Sequence, residues 1–67
     1  MRIELNGRLI EVPSRATVAD AVTAAGADGR RGIAVAVEGA VVPRSEWDRT
    51  PLEEDQQIEV LHAVQGG

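Results

Sequence analysis

Met1-Arg2-Ile3-Glu4-Leu5-Asn6-Gly7-Arg8-Leu9-Ile10-Glu11-Val12 is the stretch that decides the architecture. Met1, Ile3 and Leu5 alternate with Arg2, Glu4 and Asn6, the period-two pattern of a strand with one buried face. Asn6-Gly7 follows at once, the preferred pair for a two-residue hairpin turn that needs positive φ. Leu9, Ile10 and Val12 then form a returning strand that Pro13 stops. The chain therefore starts as an antiparallel hairpin.

Outward from the hairpin, Thr17 begins a helix. Asp20, three residues later, gives capping-box spacing and a favourable charge at the positive end. Val18, Ala21, Val22 and Ala25 recur at helical spacing as one narrow apolar stripe, and Gly26 supplies a left-handed stop. A stripe rich in alanine requires the helix to lie close to what it covers. Residues 26–32 form a polar connection ending in Arg30-Arg31-Gly32.

Ile33-Ala34-Val35-Ala36-Val37 reads as a third strand with β-branched residues on one face and alanines on the other. Glu38-Gly39-Ala40 turns into a short fourth strand, Val41-Val42, which Pro43 confines to an edge or strand end. Ser45-Glu46-Trp47 is expected to form a helical turn with Trp47 anchoring that end of the core. Residues 48–57 read as an acidic loop. In the last strand, Ile58, Val60, His62 and Val64 alternate with Glu59, Leu61 and Ala63, and the strand runs into Gln65-Gly66-Gly67.

One helix covers only one face of a sheet. The order ββ-α-ββ-β therefore predicts an α+β fold of the β-grasp type, a mixed sheet packed on one main helix. Residues 1–64 are expected to form the domain and 65–67 a flexible tail. The uncovered face would present Ala34, Ala36, Leu61 and Ala63 as a shallow, low-charge patch beside the tail-bearing strand.

Composition excludes much. Sixty-seven residues make one domain, near the lower size limit for folding without staples. There is no cysteine, so disulfides, thiolate metal sites and thiol catalysis are excluded, and a reducing, cytoplasmic location is expected. The longest aliphatic run, Ile33 to Val37, is far too short to span a membrane, and no secretory signal is read at the start. A net charge of −4 argues against nucleic acid and suits a basic protein surface. All seven cations are arginine, so no ε-amine is available for Schiff bases or isopeptide bonds.

The closing Gly66-Gly67 pair has no side chains, so its last peptide unit fits a slot too narrow for a Cβ. It would present an α-carboxylate on a thin stalk. From Val64 to Gly67, three extended residues reach at most ~10 Å, enough to thread a channel in a partner while the folded body docks outside.

Three segments carry a family resemblance: Gly32-Ile33-Ala34-Val35-Ala36-Val37; Val42-Pro43-Arg44-Ser45-Glu46-Trp47; and Ile58-Glu59-Val60-Leu61 through Ala63-Val64-Gln65-Gly66-Gly67. Together they resemble the ThiS-type sulfur-carrier proteins of thiamine biosynthesis, which are ubiquitin-like, over the whole chain. Two positions depart from that pattern. Glu54-Asp55-Gln56 replaces the usual Asp-Gly-Asp turn, although Asp tolerates the left-handed conformation. His62 stands where relatives often carry Thr or Gln.

The resemblance implies that a ThiF-type adenylating enzyme uses ATP and Mg²⁺ to activate the Gly67 carboxylate. A sulfur-donor protein then makes a thiocarboxylate, and thiazole synthase takes the sulfur. The chain binds no cofactor or metal itself and is a co-substrate, not an enzyme. Its residues agree, since without Cys, Lys or Tyr and with one His they offer no catalytic residue set. Gln65, Gly66 and Gly67 would enter the partner's active site, and Ala34, Ala36, Arg44, Leu61 and Ala63 would dock. Arg44 reads equally as an ordinary surface arginine. His62 reads as packing or surface, or as a functional side chain. Glu53-Glu54-Asp55 reads as a solvated loop or a cation holder. The same carboxylate chemistry also suits a carrier for molybdopterin or another pathway, and a ubiquitin-like protein modifier.

Overall fold

The computed structural model describes residues 1–27 and 31–62. The elements are β1 (Arg2–Leu5), β2 (Arg8–Glu11), α1 (Val18–Ala24), β3 (Ile33–Val37), β4 (Ala40–Val42), a 3₁₀ helix (Arg44–Arg49) and β5 (Gln57–His62). The five strands form one sheet in the order β2-β1-β5-β3-β4. The last strand of the chain is therefore the central one, parallel to β1 and antiparallel to β3. The expected mixed sheet on a single helix is present.

Both hairpins turn on the same chemistry. Asn6 and Gly7 have φ of +51° and +83°, and Glu38 and Gly39 have +50° and +82°, the paired positive φ of a type I′ turn. A Cβ at Gly7 or Gly39 would meet nothing within 4 Å, so conformation and not space selects glycine there. Glu38 is the unexpected member, since a glutamate rarely takes this conformation. Its carboxylate accepts the Gln57 N–H at 2.8 Å, and its own N–H donates to the Gln57 carbonyl at 2.8 Å. Those two bonds fix the start of β5 and offset the backbone cost. Asp55 takes the left-handed conformation predicted for the altered turn before β5, with φ of +64°.

Helix α1 starts at Thr17, whose N–H donates to the Asp20 carboxylate at 2.8 Å. It ends at Ala24, and Gly26 follows with φ of +75°. Val18, Ala21 and Val22 are buried from the stripe, whereas Ala25 is only half-buried. The helix meets the core face of the sheet, formed by Ile3 and Leu5 from β1, Val35 from β3, and Ile58 and Val60 from β5. Trp47 closes one end, its ring buried and its Nε1–H donating to the Val42 carbonyl at 2.9 Å.

Three segments are more fully defined in the structure than in the sequence. The helical turn expected at Ser45–Trp47 is a six-residue 3₁₀ helix, with the Thr50 hydroxyl donating to the Glu46 carbonyl at 2.7 Å at its end. The acidic segment 48–57 is not merely a loop. Leu52 is buried within it, Leu52 N–H donates to the Ala16 carbonyl, and Val18 N–H donates to the Thr50 carbonyl, both at 2.9 Å. That crossing strip seals the core beneath the helix. Last, His62, which reads as packing or surface, is exposed at the described end of β5. Alternation assigns a face, yet burial also requires the helix to reach that far along the sheet.

Candidate functional site

The sheet face opposite α1 is the candidate docking surface, and its composition follows from register. Leu61 lies opposite Ala34, Glu59 opposite Ala36, and Ala36 opposite Val41. Directly paired residues share a face. Leu61 is 56% exposed and Val41 74% exposed, Ala34 is exposed, and Ala36 between them is half-buried. Leu61, Ala34, Ala36 and Val41 thus form one apolar band across β5, β3 and β4.

The band is not as low in charge as the sequence suggested. Glu59 sits within it, and Glu4, Glu38, Gln57 and Glu59 line an open depression beside it. Leu9, 65% exposed, faces Glu4 across the first hairpin. An apolar band with an acidic flank suits a partner surface that is apolar at its centre and basic at its rim. Val41 escaped the sequence reading because a three-residue strand shows no period, whereas Glu59 was legible beside Leu61 on β5 and only its place against Ala36 needed the β3–β5 register.

Arg44 is not part of this band. Its guanidinium lies 5.3 Å from the centroid of the Trp47 ring, both residues belonging to the 3₁₀ helix that follows β4. Such stacking is worth about 0.5–1 kcal/mol at an exposed site and orients the charge. Ala63, Gln65, Gly66 and Gly67 lie outside the described residues, as do Val64 and the boundary drawn between 64 and 65. Among the described residues, no group of three or more His, Cys, Asp or Glu is placed to hold a metal ion. Glu53, Glu54 and Asp55 instead serve the turn before β5. The Glu54 carboxylate accepts the Arg2 N–H at 3.3 Å, and Asp55 N–H donates to the Arg2 carbonyl at 2.7 Å. No helix is long and apolar enough to cross a membrane among the described residues.

One side chain that braces β5 escaped the sequence reading. Asn6 Nδ2–H donates to the Val60 carbonyl at 3.2 Å, and Val60 N–H donates to Asn6 Oδ1 at 2.8 Å. Asn6 was legible as a turn residue only.

With this geometry in place, comparison is informative. The model of the ThiS family matches residues 2–67. The chain belongs to the ThiS family. Its match runs through the apolar band and to Gly67, so the family pattern spans both the folded body and the diglycine. No curated protein matches it in sequence. Among solved structures, a thiamine biosynthesis protein (ThiS) from Geobacter metallireducens is similar with a TM-score of 0.81, at 23% identity and over 100% of both chains. At that identity the likeness shows the shared β-grasp fold.

The band gives a direct test. Leu61→Asp should leave thermal unfolding nearly unchanged, because exposed substitutions shift stability by about 0.5 kcal/mol or less. It should weaken binding to a protein that docks on this face by more than about tenfold, as a charge placed in an apolar contact centre does. Titration calorimetry and a melt on the same sample decide it. Unfolding of the variant would mean that Leu61 belongs to the core.

Proposed function

We propose that this chain is a sulfur carrier for thiazole formation in thiamine biosynthesis, a protein co-substrate of the cytoplasm. A carboxylate at neutral pH resists nucleophiles, because its carbonyl carbon is electron-rich and oxide is a poor leaving group. A ThiF-type partner overcomes this by letting the Gly67 carboxylate attack the α-phosphorus of ATP, with Mg²⁺ on the phosphates and pyrophosphate released. A sulfur nucleophile delivered by a donor protein then attacks the acyl carbon and displaces AMP, leaving a C-terminal thiocarboxylate. Thiazole synthase takes that sulfur.

In this reading Gln65, Gly66 and Gly67 enter the partner's active site. Ala34, Ala36, Leu61 and Ala63 dock against it with Val41 added, and Arg44 contacts its rim from the 3₁₀ helix. The observation that carries the proposal is the family match over residues 2–67, which includes both final glycines. The central position of β5 supports it, because a strand braced on both sides gives the terminal segment a firm base.

Intact mass spectrometry of the protein from its own cells tests the reading. A species with one terminal oxygen exchanged for sulfur, lost on deletion of Gly67, is the expected result. Its failure to accumulate under thiamine starvation would sink the proposal. Co-purification with a molybdopterin-synthase subunit in place of thiazole synthase would reassign the pathway, and Gly67 in an isopeptide bond would make the chain a modifier.

A further inference from the structure

We propose that Asn6 is a positioning residue for the C-terminal segment, acting as a two-point latch on β5; this rests on the carrier reading above. The parallel ladder between β1 and β5 stops one rung short of Val60. Glu4 N–H donates to the Gln56 carbonyl and Asn6 N–H to the Ile58 carbonyl, both at 2.9 Å. The next rung would take the Val60 N–H, but β1 has ended at Leu5 and Asn6 has turned left-handed into the hairpin. Asn6 Oδ1 takes that N–H instead, and Asn6 Nδ2 reaches the Val60 carbonyl. A side-chain amide sets an N–H donor group beside a carbonyl acceptor, which matches the two backbone groups that Val60 presents on this side. Val60 is itself buried, so leaving those groups unpaired would be costly. The latch therefore holds β5 from the β1 side as far as Val60, while Ala34 and Ile33 of β3 flank Leu61 and His62 on the other.

The turn and the latch are separable functions of one residue. Asn6→Gly keeps the left-handed conformation, since a Gly-Gly pair suits a type I′ turn, and removes only the carboxamide. Asn6→Asp keeps the acceptor but sets an oxygen against the Val60 carbonyl.

Two measurements on the full chain test the latch. In Asn6→Gly, hydrogen exchange at the Val60 amide should accelerate about tenfold, with the β1–β2 hairpin amides unchanged. In ATP–pyrophosphate exchange with the adenylating partner, KM for the carrier should rise about fivefold with kcat within about twofold, because ordering β5 then falls on the docking step. Val22→Ala, which destabilises the body from the helix side, should lower the melting temperature without moving KM. Should Asn6→Gly fail to fold, Asn6→Asp carries the same expectation for KM. Wild-type KM in the latch variants, or an equal rise in Val22→Ala, overturns the positioning role. If the wild-type chain supports no ATP–pyrophosphate exchange at all, the carrier reading falls and the positioning role with it. A normal wild type beside an unaltered variant removes the latch alone.

Discussion

Deletion of Gly67 is expected to abolish adenylation while leaving the folded body intact. The shortened chain still ends in a glycine carboxylate, so its chemistry is unchanged and only its reach differs. One residue of extended chain is about 3.4 Å. Attack on a phosphorus requires reacting atoms about 3–3.5 Å apart, and misplacement by as little as about 1 Å can cost about 100-fold. A shortfall of a whole residue should therefore cost more than that. ATP–pyrophosphate exchange with the adenylating partner reads the loss. A thermal melt should show no change, because the described core is built from residues between Met1 and Val60. Gly66→Ala tests width in place of length, since the added Cβ should obstruct a channel shaped for glycine. Full exchange activity from a chain ending at Gly66 would refute the assignment of the reacting carbon.

Trp47→Ala should destabilise the domain by about 3–5 kcal/mol, the usual range for removing a buried aromatic. Trp47 is the only aromatic residue in the chain and is 8% exposed. Three losses coincide: the ring's packing between the 3₁₀ helix and α1, its hydrogen bond to the Val42 carbonyl, and the surface beneath the Arg44 guanidinium. For a domain of this length, total stability of about 0.05–0.15 kcal/mol per residue amounts to about 3–10 kcal/mol, so the substitution removes from about a third to all of it. Urea unfolding followed by far-ultraviolet circular dichroism measures this, since the fluorescent probe is itself removed. A loss below about 1 kcal/mol would show that the ring is not an anchor. Trp47→Phe should retain most of the packing and lose the hydrogen bond, costing about 1–2 kcal/mol.

Particular residues show where sequence reasoning reached and where it stopped. Asn6-Gly7 and the alternation around it were readable because a type I′ turn and a strand are local matters of sterics and period. Thr17 and Asp20 were readable for the same reason, being one helical turn apart. Leu61 and Ala34 were correctly placed on the open face by alternation alone. Ala36 was placed there too, yet Glu59 and Val41 flank it and leave it half-buried. Leu52 looked like part of an acidic loop because its environment comes from Ala16 and the 3₁₀ helix, not from its neighbours in the chain. Arg44 was legible as a charge after an edge proline, but its place over the Trp47 ring comes from the fold.

The sequence by itself determined the strand and helix segments, both hairpins and the family, since each depends on residues a few positions apart or on a pattern along the chain. Only the tertiary structure decided that β5 is central, that Val41 completes the apolar band, and that the Asn6 amide grips Val60 across a separation of 54 residues. Which partner a backbone donor finds at that range is set by the order in which strands assemble. A turn-forming asparagine looks the same in sequence whether its amide faces water or replaces a rung of the sheet.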